Sequence, residues 1–78
     1  MKVLFYGTPF CHLCDEAEAL LRSLPVTVEY IDIAEDDAAL ERYETRIPVV
    51  RRVDTDAELG WPFDRQALAD FLAGTDPA

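Results

Sequence analysis

Apolar residues in this chain come first as a continuous run and then at helical spacing. Residues 2–6 are rich in strand formers, and an uninterrupted apolar run suits a strand that is covered on both faces. Gly7, Thr8 and Pro9 break this run, and a helical pattern follows until Pro25. The apolar stripe of that helix consists of Leu13, Ala17, Leu20, Leu21 and Leu24. The pattern therefore predicts a central strand followed by an amphipathic helix.

The middle of the chain predicts a second strand and a short second helix. Residues 26–33 are again β-branched and aromatic, which is typical of a strand. A strand, a helix and a strand within about thirty residues indicate a right-handed βαβ unit with parallel strands. Asp36 or Asp37 can cap a second helix that runs to about Tyr43, with Leu40 and Tyr43 as its apolar contacts.

The last third of the chain predicts a hairpin and a final helix. Residues 49–53 and 57–61 are strand-like and are separated by the turn residues 54–56. Asp64 is a good N-cap for the final helix, and Gly74 is expected to close it. The apolar face of this helix consists of Ala67, Leu68, Phe71 and Leu72.

The element order βαβαββα predicts a single α/β domain with a four-stranded mixed sheet and three helices. The domain is expected to span residues 1–74, and residues 75–78 are expected to form a short flexible tail. At 78 residues the chain is near the size at which a core becomes marginal, but half of its residues are hydrophobic.

Charge and hydropathy argue against nucleic acid and membranes as partners of this protein. Sixteen acidic and seven basic residues give a net charge of −9, which repels nucleic acid and anionic membrane surfaces. Neither is therefore expected as a partner, and we expect a monomer. The N-terminus lacks the long apolar region of a signal peptide, and no apolar stretch approaches the ~18 to 20 residues that span a bilayer. These features predict a cytoplasmic protein.

The only two cysteines, Cys11 and Cys14, lie at the predicted junction of strand and helix. Residues three apart at the start of a helix face the same way, so the two sulfurs can come within disulfide reach. The positive helix end favours a thiolate at Cys11, whereas the carboxylates of Asp15 and Glu16 oppose it. A Cys-x-x-Cys pair in this position is typical of a thioredoxin-like redox motif.

The single histidine, His12, lies between the cysteines. A charged imidazole beside Cys11 would favour its thiolate, although a solvent-facing histidine of modest effect is the simpler interpretation. A structural zinc ion needs about four ligands, and two thiols with one imidazole do not supply them. We therefore expect no metal site within one chain.

Three segments resemble the glutaredoxin-like branch of the thioredoxin fold. They are residues 6–17, with Cys11-His12-Leu13-Cys14-Asp15 at their centre, residues 46–50 and residues 59–64. In particular, the chain resembles small bacterial glutaredoxin-like proteins with a Cys-His-Leu-Cys-Asp motif, over nearly its full length. This resemblance implies a thioredoxin-like fold in which Cys11 is the exposed nucleophile and Cys14 the more buried resolving cysteine.

The resemblance also implies a set of substrate-binding or tuning residues around the cysteines. Pro48 matches the cis-proline of this fold, which would present the backbone groups of Ile47 to a bound chain. Arg46 would stabilise the thiolate or receive a substrate carboxylate, unless it is simply an exposed arginine. The complete predicted set is Pro9, Phe10, His12, Arg46, Ile47, Pro48 and Asp64, the last of which matches an acidic residue of the family.

Three positions depart from glutaredoxins. Thr8 stands where these enzymes typically have a lysine, and Leu13 stands where they have a tyrosine, so two glutathione contacts are missing. The expected glycine pair is reduced to Gly60 followed by Trp61, which would crowd a peptide ligand. We expect no required cofactor, and glutathione is disfavoured as a ligand.

These observations predict a thiol–disulfide oxidoreductase that uses Cys11 and Cys14 in a dithiol–disulfide cycle. A protein disulfide is expected as its substrate in preference to a glutathione mixed disulfide, together with an electron donor that the sequence does not identify. Two alternatives stay open. Cys11 could ligate a metal or an iron–sulfur cluster shared between two chains, or the domain could serve interactions while its thiols are inert.

Overall fold

The computed structural model describes residues 2–74, so the predicted tail, residues 75–78, lies outside the described residues. The elements are β1 (Lys2–Gly7), α1 (His12–Arg22), β2 (Thr27–Asp32), a short 3₁₀ turn (Ile33–Glu35), α2 (Asp37–Tyr43), β3 (Val49–Arg52), β4 (Glu58–Gly60) and α3 (Arg65–Leu72). The predicted order of four strands and three helices is confirmed.

The four strands form one mixed sheet in the order β2-β1-β3-β4. β1 is parallel to β2, with Phe5 opposite Tyr30, and antiparallel to β3, with Phe5 opposite Val50. β3 and β4 form the predicted antiparallel hairpin. β1 is therefore a central strand, and the cysteine pair follows its C-terminal end at the start of α1.

Side chains of β1 alternate between the two faces of the sheet, as the pleat requires. Val3 and Phe5 pack in a core cluster with the buried residues of α1 and α3, among them Leu21 and Leu68. Tyr6 packs in a second cluster with residues of α2 and β3. The continuous apolar run of β1 is thus explained by burial on both faces.

The apolar stripes predicted for the helices are wrong at several positions. Leu13 is 43% exposed and Leu40 is 37% exposed, and Ala67 is exposed as well. The buried residues of α1 are Cys14, Ala17 and Leu21, while those of α2 are Ala39 and Tyr43.

These buried residues are separated by three or four positions, which is the spacing of one helix face. The face of α1 therefore begins at Cys14, and a helix turns by about 100° per residue, which moves Leu13 off that face. Leu24 follows the end of α1 at Arg22 and packs at the margin of the core. Among residues 2–74, no helix is both long and apolar enough to cross a membrane.

Candidate active site

The sulfur of Cys11 caps the N-terminus of α1. Cys11 has extended backbone angles at the N-cap position, and its Sγ accepts a hydrogen bond from the backbone N–H of Cys14 at 3.2 Å. A sulfur thus takes the place that the side-chain oxygen of serine, threonine or aspartate usually has. Unpaired N–H groups and the positive end of the helix dipole converge there, so the position suits a negatively charged sulfur.

Cys14 is buried against the end of β1. Its side chain is only 3% exposed, whereas that of Cys11 is partly exposed. A Cβ atom added at Gly7 would lie 3.1 Å from the Sγ of Cys14, which is closer than ordinary contacts allow. Gly7 therefore lets the first turn of α1 approach the strand. In the sequence this glycine indicated only the end of a strand.

Burial, followed by the hydrogen bond with Cys11, raises the pKa of the Cys14 thiol to about 12. The charges of Cys11 and Asp15 act in the same direction, while a hydrogen bond from the backbone of Thr8 lowers it. Cys14 is consequently protonated near neutral pH while both cysteines are reduced. The two sulfurs therefore differ clearly in accessibility.

The Ile47–Pro48 peptide bond is cis, as expected from the resemblance, and the Pro48 ring is fully buried. Ile47 packs against the same core cluster as Cys11. The carbonyl oxygen of Pro48 accepts a hydrogen bond from the N–H of Trp61 at 3.1 Å. The Trp61–Pro62 bond is also cis, and this was not predicted because a sequence contains little information about the isomer of an X-Pro bond.

Arg46 lies in a polar network that joins α2 to β4. Its guanidinium donates a hydrogen bond to Glu58 Oε1 at 3.0 Å and lies over the ring of Tyr43, 5.5 Å from the centroid. The Tyr43 hydroxyl donates to the other oxygen of Glu58, and Arg42 approaches the same oxygen at 3.5 Å. The described contacts of Arg46 are thus with Glu58 and Tyr43, and its role toward the thiolate stays a prediction.

Titration of the two acidic groups in this network follows from their contacts. Burial, followed by the hydrogen bond to Glu58, raises the pKa of Tyr43 to about 12. Burial acts to raise the pKa of Glu58, but the hydrogen bonds from Tyr43 and Arg46 outweigh it and hold that pKa below its ordinary value. No local pattern in the sequence pointed to this network, because its members come from different elements.

The remaining predicted site residues surround the N-terminus of α1 or cap α3. Asp64 is the N-cap of α3, as predicted, and its Oδ1 accepts a hydrogen bond from the N–H of Ala67 at 2.7 Å. Pro9, Phe10 and His12 are exposed beside Cys11. The structure leaves the binding roles of these residues untested.

Phe10 combines complete exposure with a strained backbone. Its φ is +63°, in the left-handed region, where an L-residue such as phenylalanine costs about 1–2 kcal/mol. Its side chain is fully exposed directly before Cys11, and the exposed Leu13 follows two residues after Cys11. Residues 2–74 contain no group of three or more histidine, cysteine or acidic side chains arranged to hold a metal ion.

Comparison with known proteins places this geometry in a family. Residues 2–73 match the model of the glutaredoxin-like domain (DUF836). The crystal structure of protein XcR50 from X. campestris is 34% identical, covers 95% of this chain and 99% of its own, and superimposes with a TM-score of 0.75. The solution structure of the same target is 33% identical over the full length of both chains, with a TM-score of 0.80.

Two further structures define the breadth of the similarity. Protein Ne2328 from Nitrosomonas europaea is 32% identical, with 90% of this chain and 88% of that chain covered and a TM-score of 0.75. Thioredoxin 1 from Thermosipho africanus TCF52B is 15% identical and has a TM-score of 0.61, with coverage of 96% and 98%, which shows a shared thioredoxin-like fold. No curated protein matched the sequence. The family match over residues 2–73 shows that this chain belongs to the glutaredoxin-like domain family.

Proposed function

We propose that the protein is a thiol–disulfide oxidoreductase that reduces disulfides in protein substrates. The observation that carries this proposal is the contrast between the two sulfurs in the first turn of α1. Cys11 is partly exposed at the positive helix end, and Cys14 is buried three residues later as a neutral thiol. One sulfur is therefore suited to attack a partner, and the other is suited to act only after the partner is bound.

In the first step the Cys11 thiolate attacks one sulfur of the substrate disulfide. A new bond joins Cys11 to that sulfur, the substrate S–S bond breaks, and the second substrate sulfur leaves as a thiolate. The N–H groups at the start of α1 stabilise the attacking thiolate, and the N–H of Cys14 already donates to Cys11 Sγ. The product is a mixed disulfide.

In the second step Cys14 loses its proton to solvent and attacks the sulfur of Cys11. The intramolecular disulfide forms, and the first substrate sulfur leaves as a thiolate, so that the substrate has gained two electrons. Two contributions that raise the Cys14 pKa, the hydrogen bond and the charge of Cys11, are lost once Cys11 is bonded to the substrate. Cys14 therefore ionises more readily at the step that needs its thiolate. An external thiol or dithiol donor reduces the Cys11–Cys14 disulfide again.

A protein substrate is supported by the surroundings of Cys11. Thr8 and Leu13 stand where glutaredoxins typically have glutathione contacts. Exposed apolar surface at Phe10 and Leu13 suits a polypeptide better than an anionic tripeptide. Ile47 precedes the cis-proline and packs on the same core cluster as Cys11. Its N–H donates to the carbonyl oxygen of Tyr43 at 3.2 Å, so its own carbonyl oxygen is the backbone group that can accept a hydrogen bond from an extended segment.

Single cysteine substitutions test the mechanism. Cys11→Ser is expected to abolish reduction of a protein disulfide such as that of insulin, with dithiothreitol as the electron donor. Cys14→Ser is expected to accumulate the mixed disulfide, because the resolving sulfur is missing. Non-reducing electrophoresis and mass spectrometry identify this adduct. Equal activity of the two variants would contradict the proposed division of roles.

A further inference from the structure

Large apolar side chains lie exposed on both sides of Cys11. Phe10 is fully exposed, and its left-handed backbone holds the side chain away from the core. Leu13 is 43% exposed in the first turn of α1. We call Phe10 and Leu13 the apolar flank. Exposed apolar side chains that adjoin a reactive group are typical of surfaces that bind a partner.

Two carboxylates, Asp15 and Glu16, lie next to this apolar flank, and we call them the acidic flank. Both are exposed, and neither forms an ion pair with any residue between 2 and 74. Their charge is therefore not neutralised within the described part of the chain.

The basic side chains of the described residues interact with groups other than Asp15 and Glu16. The lysine and five of the arginines are paired with carboxylates; these are Lys2, Arg22, Arg42, Arg46, Arg51 and Arg52. Arg65 donates a hydrogen bond to the hydroxyl of Ser23. The carboxylates of the acidic flank thus add to the net charge of −9 without a basic partner among residues 2–74.

From this juxtaposition we infer that the surface around Cys11 selects disulfides in basic, apolar polypeptide segments. The apolar flank contacts an apolar side chain next to the substrate cysteine, and the acidic flank attracts lysine or arginine residues beside it. The inference rests on the proposed function and names its substrate class.

The two flanks act differently on binding. Apolar contact removes the exposed surface of Phe10 and Leu13 from water and acts only at short range. Attraction to Asp15 and Glu16 acts over roughly 10 Å at 0.1 M salt, so it increases the rate of encounter and weakens as salt is added. A segment with both features gains from both flanks, whereas an acidic segment is repelled.

Synthetic peptide disulfides test the inference directly. Three symmetric disulfide dimers are compared, whose cysteine is flanked by phenylalanine and lysines, by phenylalanine and glutamates, or by serine and lysines. The reduced protein is mixed with each dimer near pH 8, where histidine side chains are usually neutral. We expect the first peptide to react about tenfold faster than the second at low salt, and this ratio to shrink toward one in 0.5 M sodium chloride.

Charge variants separate the acidic flank from the net charge. Asp15→Asn with Glu16→Gln is expected to lower the lysine-to-glutamate rate ratio to about threefold or less. The control Glu41→Gln with Asp70→Asn removes the same two charges from exposed positions on α2 and α3 and is expected to preserve the ratio. Because both peptides meet the same Cys11, a change in the reactivity of that sulfur cancels in the ratio.

Variants of the apolar flank are compared in the same assay. Phe10→Asn introduces a residue type that tolerates the left-handed backbone, and Leu13→Gln introduces a residue with good helix propensity. Both are expected to reduce the preference for phenylalanine over serine beside the substrate cysteine. Leu40→Gln on α2, where the native leucine is 37% exposed, is the matched control and is expected to preserve this preference.

The outcomes distinguish this inference from the proposed function. Equal rates for all three peptides with the wild-type protein would overturn the inference and leave the oxidoreductase intact. Unchanged ratios in the flank variants would overturn it as well. If no peptide is reduced and no Cys11–Cys14 disulfide forms, the proposed function fails together with the inference.

Discussion

The two cysteine side chains differ in solvent exposure although only two residues lie between them in the sequence. Cys14 is 3% exposed and its pKa is raised to about 12, whereas Cys11 is partly exposed. At about pH 8 iodoacetamide is therefore expected to alkylate Cys11 and to leave Cys14 unmodified, because the reagent needs an accessible thiolate. Peptide mass spectrometry after brief labelling measures the ratio. Comparable labelling of both cysteines in the folded protein would contradict the assignment of roles.

The close approach of Gly7 to Cys14 makes a second prediction at the same place. In Gly7→Ala the new Cβ would lie 3.1 Å from Cys14 Sγ and 3.4 Å from its Cβ, so the first turn of α1 must shift. We expect a loss of about 1–3 kcal/mol in the free energy of unfolding, as for other overpacked sites. We also expect slower formation of the intramolecular disulfide. Urea denaturation and thiol quantification measure the two effects.

Gly60 supplies the matched control for this substitution. A Cβ atom added at Gly60 meets no atom within 4 Å, so Gly60→Ala is expected to change the free energy of unfolding by less than about 0.5 kcal/mol. If Gly7→Ala were as mild as Gly60→Ala, the contact between β1 and Cys14 would not constrain the site.

Between elements, the network of Tyr43, Arg46 and Glu58 fastens α2 and the segment before Pro48 to β4. Tyr43→Phe removes the hydroxyl donor but leaves the ring in the core. We expect a loss of about 1.5–3 kcal/mol in the free energy of unfolding near neutral pH, as for a hydrogen bond to a charged acceptor. Urea unfolding of the variant and the wild type measures this difference.

The same pair of proteins tests the pKa of Tyr43. In the unfolded chain a tyrosine ionises near pH 10, whereas in the folded protein the pKa of Tyr43 is raised to about 12. Between these values the folded state binds more protons, so the contribution of Tyr43 to stability falls as pH rises from about 10 to 12. Wild type is therefore expected to lose stability more steeply than Tyr43→Phe across this window. Parallel curves would contradict the raised pKa.

Elements with a strong periodic pattern were predictable from the sequence, and contacts between elements were not. The apolar run of β1 and the cap at Asp64 depend on local physics, and the structure confirms them. Of the two caps proposed for α2, Asp36 and Asp37, the structure has Asp36. The prediction placed Leu13 on the buried face of α1, whereas in the structure Cys14 lies there and packs in the core cluster that contains Val3 and Phe5 of β1. The apolar pattern alone does not distinguish between these two residues.

In the candidate site, the position of Cys11 at a helix start followed from the sequence pattern, whereas the more buried state of Cys14 was implied only by the family resemblance. The contact between Gly7 and Cys14 did not, because it depends on how closely α1 packs on β1. Nor did the ion pair of Arg46 with Glu58, whose partner comes from the following hairpin. Such contacts are fixed by tertiary packing, and no spacing along the chain encodes them.

The charge distribution of the whole molecule bears on the redox equilibrium of the cysteine pair. A dithiol becomes a strong oxidant when its reduced form is stabilised, chiefly through its thiolate. Here the sulfur of Cys11 lies at the positive end of α1, whereas Asp15, Glu16 and a net charge of −9 contribute negative charge. A reduction potential between about −280 and −200 mV would place the cysteine pair in the range of thioredoxin and glutaredoxins.

Equilibration with glutathione and dithiothreitol buffers, followed by quantification of free thiols, measures this potential. Asp15→Asn with Glu16→Gln is expected to shift the potential to less negative values, because removal of two negative charges reduces the repulsion of a thiolate and so stabilises the reduced state. Glu41→Gln with Asp70→Asn, which removes equal charge from exposed positions on α2 and α3, is expected to shift it less. A shift of the first variant to more negative values would contradict the electrostatic argument. If no intramolecular disulfide forms at any buffer ratio, the dithiol cycle fails, and iron content after anaerobic purification then tests a cluster bound through Cys11.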